Sequence, residues 1–102
     1  MKLKDKEEIF EALKALKEKS HKKRTYYIKT KTEERFNKVL EILDAFGFCW
    51  YSGDNLLEEL DYYHSYKKDT IIIIKDSGVT YGEDIEEHYI KISYKGILEL
   101  TQ

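Results

Sequence analysis

Proline is absent from the 102 residues, and there are only one cysteine, one methionine, one tryptophan and five glycines. No turn is therefore set by a ring-locked φ. Cys49 alone cannot form an internal disulfide, so a reducing compartment is expected. Long apolar runs are missing too. The longest aliphatic stretch is Ile71 to Ile74, against the ~20 residues needed to span a bilayer. The opening Met-Lys-Leu-Lys-Asp-Lys interleaves charge and holds no apolar core segment, so no secretory signal is expected. Neither G-x-G-x-x-G nor G-x-x-x-x-G-K-[ST] occurs, which removes the standard phosphate cradles.

What is present fits one globular domain over residues 1–102, with 41% apolar and 37% charged residues. The net charge of −2 conceals a division. Residues 1–30 carry ten Lys and Arg against five acids, and residues 31–102 carry eight against fifteen. A basic segment thus precedes an acidic body, either to meet different partners or to pair with each other. Residues 1–24 are read as an amphipathic helix with a basic end, and residues 25–102 as a sheet with a packed helix.

Local patterns give the elements. Over residues 3–20, Ile9, Phe10, Leu13 and Leu16 recur at helical spacing, with Ala12 and Ala15 on the same side. Acids come early and bases late, in the order that suits a helix dipole. Residues 25–30 are rich in β-formers and predict a strand. A second helix follows, with Thr30 or Thr32 as cap and Glu33 and Glu34 in its first turn. Its stripe is Phe36, Val39, Leu40, Leu43 and Phe46, and Gly47 followed by Phe48 predicts a Schellman stop. A strand is expected over 48–52, with Phe48 and Trp50 on one face and Cys49 and Tyr51 on the other. Asp54 is read as the cap of a short helix carrying Leu56, Leu57 and Leu60. Residues 70–75 form a strand whose four isoleucines imply burial on both faces and a central position. A turn at 76–78 returns residues 79–81 as a hairpin partner. An acidic loop over 82–87 leads to a strand over 88–94, and the end is a helical turn or a docking tail. The fold class is α+β: a small, mainly antiparallel sheet of about four to five strands, one long helix on a face, and the additional N-terminal helix.

No residue set points to catalysis. Cys49 sits in an apolar strand, with no local base to activate it. His21, His64, His88 and Cys49 lack metal-ligand spacing, so no metal and no other cofactor is expected. Two acidic clusters stand out, Asp54, Glu58, Glu59 and Asp61 first, then Glu83, Asp84, Glu86 and Glu87. Shifted, buried carboxylates are what acid–base catalysis needs, whereas these read as solvated residues able to imitate a phosphate backbone. Nine tyrosines are the strongest hint of an interface, since tyrosine gives contact area at small entropic cost. Tyr62, Tyr63 and Tyr66, in a stretch without regular period, are read as an exposed patch beside the first cluster. Lys19, Lys22, Lys23 and Arg24, ahead of Tyr26 and Tyr27, form a possible phosphate-binding run.

The stretch from Tyr27 to Gly53, a strand and then a helix ending Gly47-Phe48-Cys49-Trp50-Tyr51-Ser52-Gly53, resembles a pattern in small phage and prophage proteins of low-GC Gram-positive bacteria. The Ile- and Tyr-rich segments 70–75 and 88–94 are similar as well, so the resemblance covers the last three quarters of the chain. It implies a non-enzymatic protein acting in the cytoplasm of a bacterial host by binding and inhibiting a host protein, such as a CRISPR-type defence nuclease. It lends no residue a role. Sequestering a nucleotide signal at a homo-oligomer interface and binding nucleic acid as an accessory protein are the alternatives.

Overall fold

The computed structural model describes residues 2–17, 24–57, 69–75 and 78–101. In chain order the elements are β1 (Lys2–Leu3), α1 (Lys6–Lys17), β2 (Thr25–Lys29), α2 (Glu33–Ala45), β3 (Cys49–Trp50), β4 (Ile71–Lys75), β5 (Gly78–Gly82), β6 (Ile90–Ile92) and α3 (Tyr94–Leu98). A 3₁₀ turn over Glu99–Thr101 follows. The strands form one sheet in the order β1-β6-β2-β4-β5-β3. The long pairings, β2 with β4 and β4 with β5, are antiparallel and five residues each. The short pairings toward both edges are parallel. The fold is α+β with a mainly antiparallel sheet.

β4 is central, as its composition requires. Ile72 and Ile74 join α1 and α2 in one apolar core, while Ile71 and Ile73 point to the opposite face and are nevertheless 3% and 8% exposed. Alternation of side chains along a strand makes those two pairs face opposite ways. Burial of an Ile side chain contributes roughly 1.5–3 kcal/mol, so this strand is the main apolar anchor of the sheet.

The helices lie on the face of Ile72 and Ile74. Phe36, Val39, Leu40 and Leu43 of α2 are fully buried there, and Thr32 caps the helix by accepting from the Arg35 N–H at 3.2 Å. Thr30, the other cap candidate, is buried and donates its hydroxyl to the Thr70 carbonyl at 2.9 Å. The stop is a Schellman motif: the Gly47 N–H donates to Asp44 C=O and the Phe48 N–H to Leu43 C=O. Gly47 supplies the positive φ of 92° that this geometry demands.

Several boundaries depart from the sequence expectations. The first helix begins at Lys6 rather than Leu3, because the Asp5 carboxylate accepts from the Glu7 N–H and its carbonyl from the Ile9 N–H. Leu3 is released to pair with Ile92 as an additional edge strand. The N-terminal segment is thereby part of the body: Ile9 and Leu13 are fully buried in the common core. Phe10, expected on the buried stripe, is 44% exposed and rests edge-on against Phe46. The strand expected over 48–52 is only Cys49–Trp50, since the chain reverses directly after it. The C-terminal segment is helical, with Ile97 fully buried and Ser93 capping α3 through the Gly96 N–H.

α3 meets the start of α1 closely at Gly96. A Cβ there would lie 2.6 Å from the Lys4 carbonyl oxygen and 2.6 Å from Ile9 Cδ1. Gly96→Ala is expected to destabilise the protein by about 1–3 kcal/mol, the usual cost of overpacking. Urea denaturation measures it, and an unchanged midpoint contradicts this packing.

Candidate functional site

Charged residues of both signs gather at the end of the central sheet where β2 and β5 finish and β4 begins. Register puts Lys29 beside Ile71 and Ile71 beside Gly82, so the β2–α2 connection and the β5–β6 loop leave the sheet as neighbours. Between them lies a cleft of about 630 Å³. Lys29 and Lys31 line one wall, Glu83, Asp84 and Ile85 the other, and Ile71, Thr70 and Asp69 complete it. The buried hydroxyl bond from Thr30 to the Thr70 carbonyl ties the two strand ends together at its base.

Lys31 occupies an unusual backbone position. Its φ is +63°, and the flanking Thr32 N–H donates to Thr30 C=O at 2.7 Å. A three-residue turn of this hand is the rarer and strained γ form. For a residue with a Cβ, such geometry costs roughly 1–3 kcal/mol and persists only where its surroundings enforce it.

Beyond the cleft the β5–β6 loop is pure surface. Glu83, Asp84, Glu86 and Glu87 are all exposed, and among them Ile85 is 42% exposed. The Tyr89 N–H donates to Glu86 C=O at 3.0 Å, closing a turn over residues 86–89. The His88 ring packs edge-on against Tyr89, and its Nε2 lies 3.7 Å from a Glu86 carboxylate oxygen. Tyr89 in turn leans on Tyr27 of β2, with ring centroids 6.3 Å apart. The loop is thus anchored at its C-terminal end by aromatic contact while its carboxylates stay in water.

The sequence-derived site residues divide. Glu83, Asp84, Glu86 and Glu87 are brought together as expected. Asp54 is not with them. Its carbonyl accepts from the Trp50 N–H and its carboxylate from the Ser52 hydroxyl, closing the reversal after β3, and the helix expected after it, with Leu60, runs into residues outside those described. Residues 56 and 57 form a turn with Leu56 buried, and the Leu57 N–H is held by the Asn55 side chain. β3 pairs with the Gly78 end of β5 whereas the acidic loop leaves from Gly82, ~13 Å along the strand at about 3.3 Å per residue. Glu58, Glu59, Asp61, Tyr62, Tyr63 and Tyr66 lie outside the described residues, as do Lys19, Lys22 and Lys23. Arg24 is exposed just before β2, at the opposite end of that strand from Lys29 and Lys31, so no continuous basic track joins them among the described residues.

Cys49 is half-buried, and among the described residues no three His, Cys, Asp or Glu side chains converge as a metal site would need. No described helix is long and apolar enough to cross a membrane. No protein-family model, curated protein or solved structure matches the chain.

Sequence reasoning missed Lys29, Lys31, Asp69 and Ile85. Ile85 was legible as an apolar residue inside an acidic run. The others come together only through strand register. Replacing Lys31 by glycine, which adopts positive φ without steric cost, is expected to stabilise the fold by about 0.5–1 kcal/mol. Thermal or urea unfolding checks this, and a loss of similar size would show that the turn is unstrained.

Proposed function

We propose that the chain is a non-catalytic binding protein that docks the β5–β6 loop onto a basic surface of a protein partner. The observation that carries this reading is the loop itself, four exposed carboxylates surrounding an exposed isoleucine. Carboxylates left in water steer an oppositely charged partner and speed encounter, while contributing modestly to affinity once contact is made. An apolar residue at their centre supplies what they lack, a group whose desolvation holds the complex. The anchoring through Tyr89 and Tyr27 reduces the entropy lost when the loop is fixed.

The resemblance to small phage and prophage proteins gives this surface a biological direction. A nuclease that grips nucleic acid presents lysines and arginines to phosphates, and a row of carboxylates meets the same cations. We infer that the partner is a bacterial host factor of this kind, a defence nuclease, occupied at its phosphate-binding surface.

The test uses the full chain as bait in lysate of a Gram-positive host, with wild type beside the Glu86→Lys/Glu87→Lys double variant and Ile85→Ala. A basic protein retained by wild type should bind the charge-reversed variant at least about tenfold more weakly, and wild-type affinity should fall as salt rises. Ile85→Ala should lose affinity through faster dissociation, about tenfold for a buried anchor. Equal retention by all three chains would remove the loop from the interface.

A further inference from the structure

The side of the sheet covered by helices carries an exposed surface of its own, away from the β5–β6 loop. Tyr26 is buried in the core shared with α1 and α2, so by alternation Tyr27, on which the loop leans, looks the opposite way. On the helical side, α1 and the C-terminal turn enclose a groove of about 380 Å³. Its floor is apolar, formed by Phe10 and Leu100. Phe10 is 44% exposed with its ring edge-on to Phe46, and Leu100 is half-buried. Glu7 and Glu11 form one wall from a shared face of α1, and Glu99 forms the other from the turn. Lys6, also exposed, is the one cation among the described lining residues. None of these four charged side chains is ion-paired among the described residues. Three carboxylates therefore line the groove against one ammonium, and Glu99 is half-buried without a cation beside it.

We propose that this groove takes an arginine side chain from a basic segment of a protein partner. The guanidinium lies over the exposed Phe10 ring between the two acidic walls, and an apolar neighbour of the arginine covers Leu100. Charge complementarity decides the occupant. A purely apolar segment would strip water from three carboxylates and leave them unpaired, and an acidic one would be repelled. Arginine suits the site better than lysine, because its planar group stacks on an aromatic face and donates to carboxylates two bonds at a time. Lys6 does not close the groove, since its long flexible stem lets the ammonium turn to water.

This inference is independent of the docking reading, because the two surfaces lie on opposite sides of the sheet and share no residue. The experiment is an NMR titration of the full chain with acetyl-Arg-Leu-Arg-amide, its lysine counterpart and its glutamine counterpart. The arginine peptide should give saturable shifts of the amides of residues 6–11 and 99–100, with a Kd of about 1 mM. The lysine peptide should bind about threefold more weakly, and the glutamine peptide at least about tenfold. Phe10→Leu keeps the apolar bulk and removes the ring face, and should lose about threefold in affinity. Glu99→Gln should lose a similar factor while keeping the unliganded Tm. The Glu86→Lys/Glu87→Lys variant should keep these shifts, which separates this groove from the loop. No saturable shift at residues 6–11 and 99–100 up to about 10 mM would overturn the proposal. So would full affinity in both groove variants, or equal binding by the lysine or glutamine peptide.

Discussion

Four isoleucines in succession cannot lie in a strand that has one wet face. Alternation sends two of them each way, and leaving either pair in water would forfeit several kcal/mol of apolar burial. The chain meets this constraint by placing β4 between β2 and β5, with all five of its residues paired on both sides. Helices cover Ile72 and Ile74, and Ile71 and Ile73 on the opposite face are buried too. The remaining architecture follows from seating this strand. α2 must cross the sheet, α1 must lie beside it, and the edges are left to the short strands β1 and β3.

The same constraint positions the candidate site. Because β4 is flanked by antiparallel neighbours, the ends of β2 and β5 fall together beside its beginning. Two connections of opposite charge therefore leave the sheet side by side, one carrying Lys29 and Lys31 and the other the acids of residues 83–87. The rigid part is the sheet end, tied by the Thr30–Thr70 bond, and the variable part is the loop. That division is the usual one for binding surfaces, in which a packed scaffold holds an exposed connection. Aromatic contact from His88 through Tyr89 to Tyr27 extends the rigid part into the loop's C-terminal end.

Local chemistry was readable where a residue's role depends on its neighbours in sequence. Gly47 followed by Phe48 stops α2 as its pattern required, Thr32 proved one of two suitable caps, and the isoleucine run announced a central strand. Reading failed where distant segments decide. Leu3 continues a helical period, yet Asp5 caps the helix after it and Ile92 claims it as a strand partner. Thr30 has capping-box spacing to Glu33, but its hydroxyl is bonded 40 residues away at Thr70. Asp54 also bonds to the reversal behind Trp50, a role set by the fold of β3 and not by its neighbours toward Leu56. The acidic loop was visible as a run of charge, whereas the lysines opposite it were visible only as ordinary members of a strand and a cap. No sequence signal marks Lys31 as left-handed, since its residue type disfavours that geometry.

Native-state hydrogen exchange across the described strands tests the dependence on β4 most directly. The amides of Ile72, Ile73 and Ile74 should exchange only through global unfolding, with an opening free energy equal to that from urea denaturation. The amides of residues 83–88 should open far more cheaply. β4 amides that exchange well below the global value, while those of α2 remain protected, would contradict the account.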